Sequence, residues 1–107
     1  MNNLLSVSER NQELAPLLAA GWQLDGAQTA ITKKLKFKNF IQTWGAMTQI
    51  ALNAEAMDHH PEWSNVYNRL TITLTTHSAA GLTMLDIALA KKIDMIAATL
   101  GAAAIID

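Results

Sequence analysis

The sequence predicts an α+β fold in the order αββαββα, a four-stranded antiparallel sheet with three helices packed on one face. Three observations lead there. Apolar residues recur at helical spacing in three separate stretches: around Leu14, Leu17 and Leu18, from Phe40 to Met57, and from Leu85 to Leu100. Between them, Ile31, Lys33, Leu35 and Phe37 alternate with Thr32, Lys34 and Lys36, and Leu70, Ile72 and Leu74 alternate with Thr71, Thr73 and Thr75. A period of two belongs to strands. Helices segregated from two antiparallel strand pairs form a layered α+β sandwich.

The first helix is expected from Ser6 to Ala20, because Ser6 and Glu9 stand in the S-x-x-E spacing that satisfies the free amides of a first turn. Pro16 removes one backbone donor inside it and predicts a kink. Gly21 closes it. A hairpin follows, with Trp22-Gln-Leu and Ala30 to Phe37 flanking Asp25-Gly26, a turn pair whose glycine tolerates positive φ. From about Asn39 the pattern turns helical, with Phe40, Trp44, Met47, Ala51, Ala54 and Met57 as the apolar stripe and Pro61 as its end. Val66-Tyr67 and Leu70 to Thr76 read as strands joined at Asn68-Arg69. Thr83 and Asp86 repeat the capping spacing ahead of a third helix with the stripe Leu85, Leu89, Ile93, Ile96 and Leu100, opposite Lys91 and Asp94.

Composition removes several function classes. At 107 residues, half of them hydrophobic, the chain suits one domain over 1–107. Eight basic and nine acidic residues leave a formal charge of −1, unlike the basic footprint that phosphate backbones select, so direct nucleic-acid binding is not expected. With no cysteine there is neither a disulfide framework nor thiolate chemistry, which fits a reducing compartment. MNNLLSVSERNQ lacks a signal-peptide pattern, and Met95 to Ile106 is shorter than the roughly 20 apolar residues of a membrane span. A cytoplasmic protein is the expectation.

All three histidines lie between Glu55 and His77. His59 and His60 fall at the corner where the second helix stops, and His77 continues the parity of Thr71, Thr73 and Thr75 on the polar side of its strand. Imidazoles titrate near neutral pH, so clustered imidazoles suit loss of water or movement of a hydrogen. The plainer reading of any one of them is a solvated or structural side chain. A metal site would draw on Glu55 or Asp58 as well, but H-E-x-x-H is absent and adjacent histidines do not share a helical face, so no metal is expected. Asp86 reads as a helix cap, and Trp22, Trp44 and Met47 as core. Lys33, Lys34, Lys36 and Lys38 read as a solvated or edge-protecting strand. Trp63 is either a lid on the core or an aromatic wall for a planar ligand. Residue spacing alone stops at a small acid–base enzyme or a binding module.

The string Glu55-Ala-Met-Asp-His59-His60-Pro61-Glu-Trp63-Ser-Asn-Val66-Tyr67-Asn, followed by Leu74-Thr-Thr-His77-Ser-Ala-Ala-Gly81-Leu-Thr-Met-Leu-Asp86, closely resembles the signature of pterin-4a-carbinolamine dehydratases. Gly21-Trp22, Phe37-Lys-Asn-Phe40 and Met47-Thr extend the resemblance from Ser6 to the third helix. It departs at Ala79, where some relatives carry a cysteine, and in the C-terminal tail. The resemblance implies dehydration of a 4a-hydroxytetrahydropterin to quinonoid dihydropterin, with His59, His60 and His77 as acid and base and Glu55 orienting them. Pro61, Thr76, His77, Ser78 and Ala79 would line the pterin pocket, with Trp63 beside it. It implies no metal or organic cofactor, a homodimer or homotetramer, and a functional link to an aromatic amino-acid hydroxylase. The alternative it carries is a non-catalytic role as dimerisation cofactor of a transcription regulator.

Overall fold

A computed structural model describes residues 3–106; Met1, Asn2 and Asp107, the ends of the expected 1–107 domain, lie outside the described residues. Helix α1 starts as Val7–Glu9, widens into a π-helical segment Arg10–Leu14 and returns to α geometry over Ala15–Ala19. The Ser6–Glu9 capping box is formed in both directions. The wide turn lies just ahead of Pro16, whose nitrogen has no hydrogen to continue an α-type ladder. Strand β1, Gln23–Leu24, and β2, Ile31–Lys36, follow, then α2, Phe40–Met57. Strands β3, Glu62–Val66, and β4, Arg69–Leu74, form the second pair; a 3₁₀ turn, His77–Ala79, leads to α3, Met84–Thr99. The fold is α+β in the expected order, with a short further strand, β5, Ala103–Ala104, in the tail.

The sheet runs β1-β2-β4-β3, all antiparallel, and β5 pairs with β2 beyond β1 on the same edge. Ile31, Lys33 and Leu35 of β2 and Leu70, Ile72 and Leu74 of β4 are buried, and the residues between them are not. One sheet face therefore carries the core, closed by Trp22 and by Ile50, Ile87, Leu89 and Ile93 of the helices. Gly21 has φ +110°, and a Cβ there would approach Ala104 of β5 to 3.0 Å, so the tail packs where only glycine leaves room.

Several local expectations are corrected. Asp25-Gly26 opens a six-residue loop rather than a two-residue turn, and the positive φ falls on Gln28, not Gly26. The second hairpin turns at Tyr67-Asn68, so Trp63 stands inside β3, opposite Ile72. Asp58, in the left-handed region, ends α2 before Pro61 is reached. The buried stripe of α2 is Thr43, Ala46, Ile50 and Ala54, whereas Trp44 is 58% exposed and Met47 only half-buried. That helix is apolar on more than one face, and Thr43 can be buried because its hydroxyl donates to the Asn39 carbonyl. Lys33 is not a solvated edge residue: it is 6% exposed, its ammonium 2.8 Å from Asp94 and 5.9 Å above the Trp22 ring. Trp22 Nε1 donates to the same carboxylate at 3.1 Å, so Asp94 faces inward too.

Candidate active site

Three backbone features bring the imidazoles together. The left-handed Asp58 reverses the chain at the end of α2, and His59 N donates back to the Ala54 carbonyl, which fixes the corner. Strand β4 ends at Leu74, and Thr76 exchanges backbone hydrogen bonds with Gly81, tying off the loop that carries His77. His77 thus opens the 3₁₀ turn instead of extending the strand, which corrects the parity expected for it. Thr83 then caps α3, whose first turn supplies Asp86.

A cleft of about 440 Å³ lies between these segments, lined by Asp58, His59, His60, Thr75, Thr76, His77, Ser78 and Leu85. All three imidazoles therefore share one space with Thr76 and Ser78. Glu55 reaches it through His60. Pro61 and Ala79 adjoin it without lining it. Trp63 is placed elsewhere: with Trp44, Met47, Thr48, Ala51 and Leu52 it lines a separate apolar groove, because its position in β3 turns the ring toward α2.

Each imidazole is tied through Nε2 to a different carboxylate. His60 meets Glu55 at 2.8 Å and His77 meets Glu62 at 2.7 Å, both pairs exposed. His59 is 8% exposed and meets the fully buried Asp86 at 2.6 Å. The other oxygen of Asp86 accepts from Thr76 Oγ1 at 2.7 Å and from Thr83 N at 2.9 Å. Thr76 has one hydroxyl proton and gives it to Asp86, so in the 2.8 Å contact between the two threonines Thr83 donates. Among the described residues no buried side-chain nitrogen or oxygen lacks a hydrogen-bond partner. A carboxylate only accepts, so Asp86 holds the proton of His59 on Nε2 and leaves Nδ1 without one when the ring is neutral.

The spacing Thr83-x-x-Asp86 signals the cap but carries no sign of the His59 contact. Glu62, Thr75 and Leu85 are further residues at or beside the cleft that the sequence reading missed, and Asp58, weighed there only as a metal ligand, lines it. Parity along β3 and β4 is the only signal for Glu62, since its partner in the sheet is Thr73, just ahead of the His77 loop. Among the described residues no group of three or more histidine, aspartate or glutamate side chains is arranged to hold a metal ion. No helix of the described residues is long and apolar enough to cross a membrane.

A Brucella ovis protein named "Putative pterin-4-alpha-carbinolamine dehydratase" is 50% identical over 95 residues, 89% of this chain and 96% of that protein. A protein of the same name from Dinoroseobacter shibae is 48% identical over 97 residues, 91% of this chain and all of the other. The crystal structure of a transcriptional coactivator/pterin dehydratase from Brucella melitensis superposes with a TM-score of 0.81 at 50% identity, covering 89% of this chain and 99% of that one. A pterin dehydratase-like protein identified as a RuBisCO assembly factor in the alpha-carboxysome shares the fold, with a TM-score of 0.63 at 23% identity. Residues 3–96 match the family described as Pterin 4 alpha carbinolamine dehydratase, and with relatives of this similarity the chain belongs to that family.

Proposed function

We propose that the protein dehydrates a 4a-hydroxytetrahydropterin to quinonoid dihydropterin and water, with the three imidazoles of the cleft as its acid and base. The observation that carries this reading is their convergence on one cleft, each with Nε2 held by its own carboxylate. Dehydration needs a proton delivered to the 4a-hydroxyl, which leaves as water, and a proton removed from N5 as the new C=N bond forms. An imidazole and an imidazolium near neutral pH perform these two transfers. In each pair the nitrogen not taken by the carboxylate is Nδ1, and it is the atom left to face a substrate. His59, His60 and His77 are the proposed catalytic residues. Thr76 and Ser78 line the bicycle's site, Glu55 and Glu62 orient the two exposed rings, and Asp86 is a positioning residue behind His59.

Turnover of a freshly generated 4a-hydroxytetrahydropterin, followed with and without a chelator, tests this. Acceleration over the spontaneous reaction that survives the chelator is expected; none at all refutes the proposal. The reading places the protein in the cytoplasm, one step after an aromatic amino-acid hydroxylase and in tetrahydropterin recycling. It also includes a homodimer or homotetramer. Strand β3 pairs only with β4 among the described residues, and joining its open edge to a second copy would satisfy its free backbone groups.

A second reading, a non-catalytic cofactor of a transcription regulator, is favoured by one observation. Phe40, Ile41, Trp44 and Leu52 are large apolar side chains of α2 that the core leaves exposed, with the Phe40 and Trp44 rings stacked on one another.

A further inference from the structure

The loop between β1 and β2, residues 25–30, is more tightly built than an exposed connection requires. Asp25 N donates to the Ala30 carbonyl at 3.1 Å and Gln28 N to the Asp25 carbonyl at 3.0 Å. The Asp25 carboxylate accepts from Thr29 N at 2.7 Å, Ala30 N at 3.2 Å and Thr29 Oγ1 at 3.1 Å. Arg10 clasps the far side, with its guanidinium 3.2 Å from the Gln28 carbonyl and 3.3 Å from the Gln28 side chain. This holds Gln28 at φ 60°, a conformation that a non-glycine residue does not adopt without support.

What the loop presents is the Thr29 carbonyl, which accepts the hydroxyl proton of Thr75 at 2.6 Å. Thr75 lines the histidine cleft. A threonine hydroxyl has one proton and two lone pairs, so with the proton given to Thr29 the oxygen can act toward a ligand only as an acceptor. If the carbonyl moves, the hydroxyl rotates freely and offers donor and acceptor alike. A flat heterocycle bearing N–H groups gains from the first arrangement and loses orientation in the second.

We infer that Asp25, which touches nothing in the cleft, is a positioning residue for substrate binding: it shapes the 25–30 loop so that the Thr29 carbonyl fixes the Thr75 hydroxyl as an acceptor. The inference rests on the dehydratase reading only in taking the cleft as the pterin site. Thr75 carries no group that titrates near neutral pH, so the effect falls on binding and not on the proton transfers. The hydrogen bond from Thr29 N also holds the Asp25 carboxyl below its ordinary range, the mark of a carboxylate used by the loop.

The test is a set of variants assayed for KM and kcat with the 4a-hydroxytetrahydropterin. Asp25→Ala is expected to raise KM about fivefold, the effect of one hydrogen bond of typical net strength, with kcat unchanged. Asp25→Asn keeps an oxygen that can accept from Thr29 N and is expected to stay near the parent KM. In the double variant with Thr75→Val, Asp25→Ala is expected to add nothing, since its route to the cleft is already cut. An unchanged KM in Asp25→Ala, or losses that add in the double variant, overturns the inference. Amide exchange and the Thr75 methyl signal in substrate-free protein read the same link. Faster exchange at Thr29 and Ala30 with a shifted Thr75 signal supports it, and an unmoved Thr75 refutes it. Absence of turnover in the parent protein would count against the dehydratase and leave this link to be decided by those signals.

Discussion

Replacing Asp86 by asparagine inverts the proton placement at His59 without removing any heavy atom, and the structure dictates which way the new amide must turn. The oxygen of Asp86 that meets Thr83 N faces a backbone N–H, which can only donate. The amide oxygen of the variant has to stay there, where it also keeps the Thr76 hydroxyl. Its NH₂ group is then forced toward His59 Nε2, at the 2.6 Å contact. Two donors cannot face each other, so His59 gives up the Nε2 proton and carries it on Nδ1. All three hydrogen bonds to the carboxylate become bonds to a neutral amide, each weaker by about 1 kcal/mol, a loss of about 3 kcal/mol together. That is a fraction of the roughly 5–15 kcal/mol of a typical domain, so the variant is expected to fold. Asp86→Ala is harsher. It leaves His59 Nε2 and Thr83 N as buried donors without acceptors, at about 1–3 kcal/mol each, while the Thr76 hydroxyl can turn to Thr83. Urea denaturation gives the stabilities, and ¹⁵N spectra of the imidazole ring report which nitrogen is protonated. Turnover of Asp86→Asn is expected to fall by about 10²–10⁴-fold, the range of a mispositioned acid or base. A folded variant with Nε2 still protonated, or with parental turnover, would refute this account of the site.

His60→Ala and His77→Ala are each expected to lower turnover by about 10²–10⁴-fold and to leave the denaturation midpoint near the parent's, because both side chains are exposed; parental turnover in both would end their assignment. Asp94→Ala strands the Lys33 ammonium in the core and is expected to cost about 3 kcal/mol, the low end for a broken buried pair since Asp94 is partly exposed, with Asp94→Ala plus Lys33→Met recovering much of it. Urea midpoints of the two variants check this, and a single variant as stable as the parent would contradict it. The Asp25 carboxyl, held down first by the Thr29 amide, has a folded value below its unfolded 3.8. Its contribution is present above that unfolded value and is lost as pH falls toward the lower, folded one. A carboxyl ¹³C titration with a midpoint at or above 3.8 would be the contrary result. Sedimentation at micromolar concentration is expected to show a dimer or tetramer, and a monomer alone would rule out pairing through β3.

What the sequence determined by itself is what neighbouring residues decide. Helix starts follow from side chains three positions apart, as at Ser6 and Glu9 or Thr83 and Asp86, and both boxes form. Strand faces follow from parity, so the buried set Leu70, Ile72 and Leu74 was legible. The gathering of His59, His60 and His77 was legible from the motif and from the corner after α2. Tertiary structure decided everything that depends on contacts between distant positions. Asp86 meets His59 across 27 positions, Lys33 meets Asp94 across 61 and Trp22 meets Asp94 across 72. No local pattern distinguishes a capping aspartate from one that also holds an imidazole, or a buried lysine from a solvated one. Helix α2 is apolar on two sides, and only docking against the sheet chose Thr43 and Ile50 over Trp44 for the core. Burial is set by which surfaces meet, and for a helix with two apolar sides, or a side chain with lone pairs to spare, the sequence leaves that choice to the packed chain.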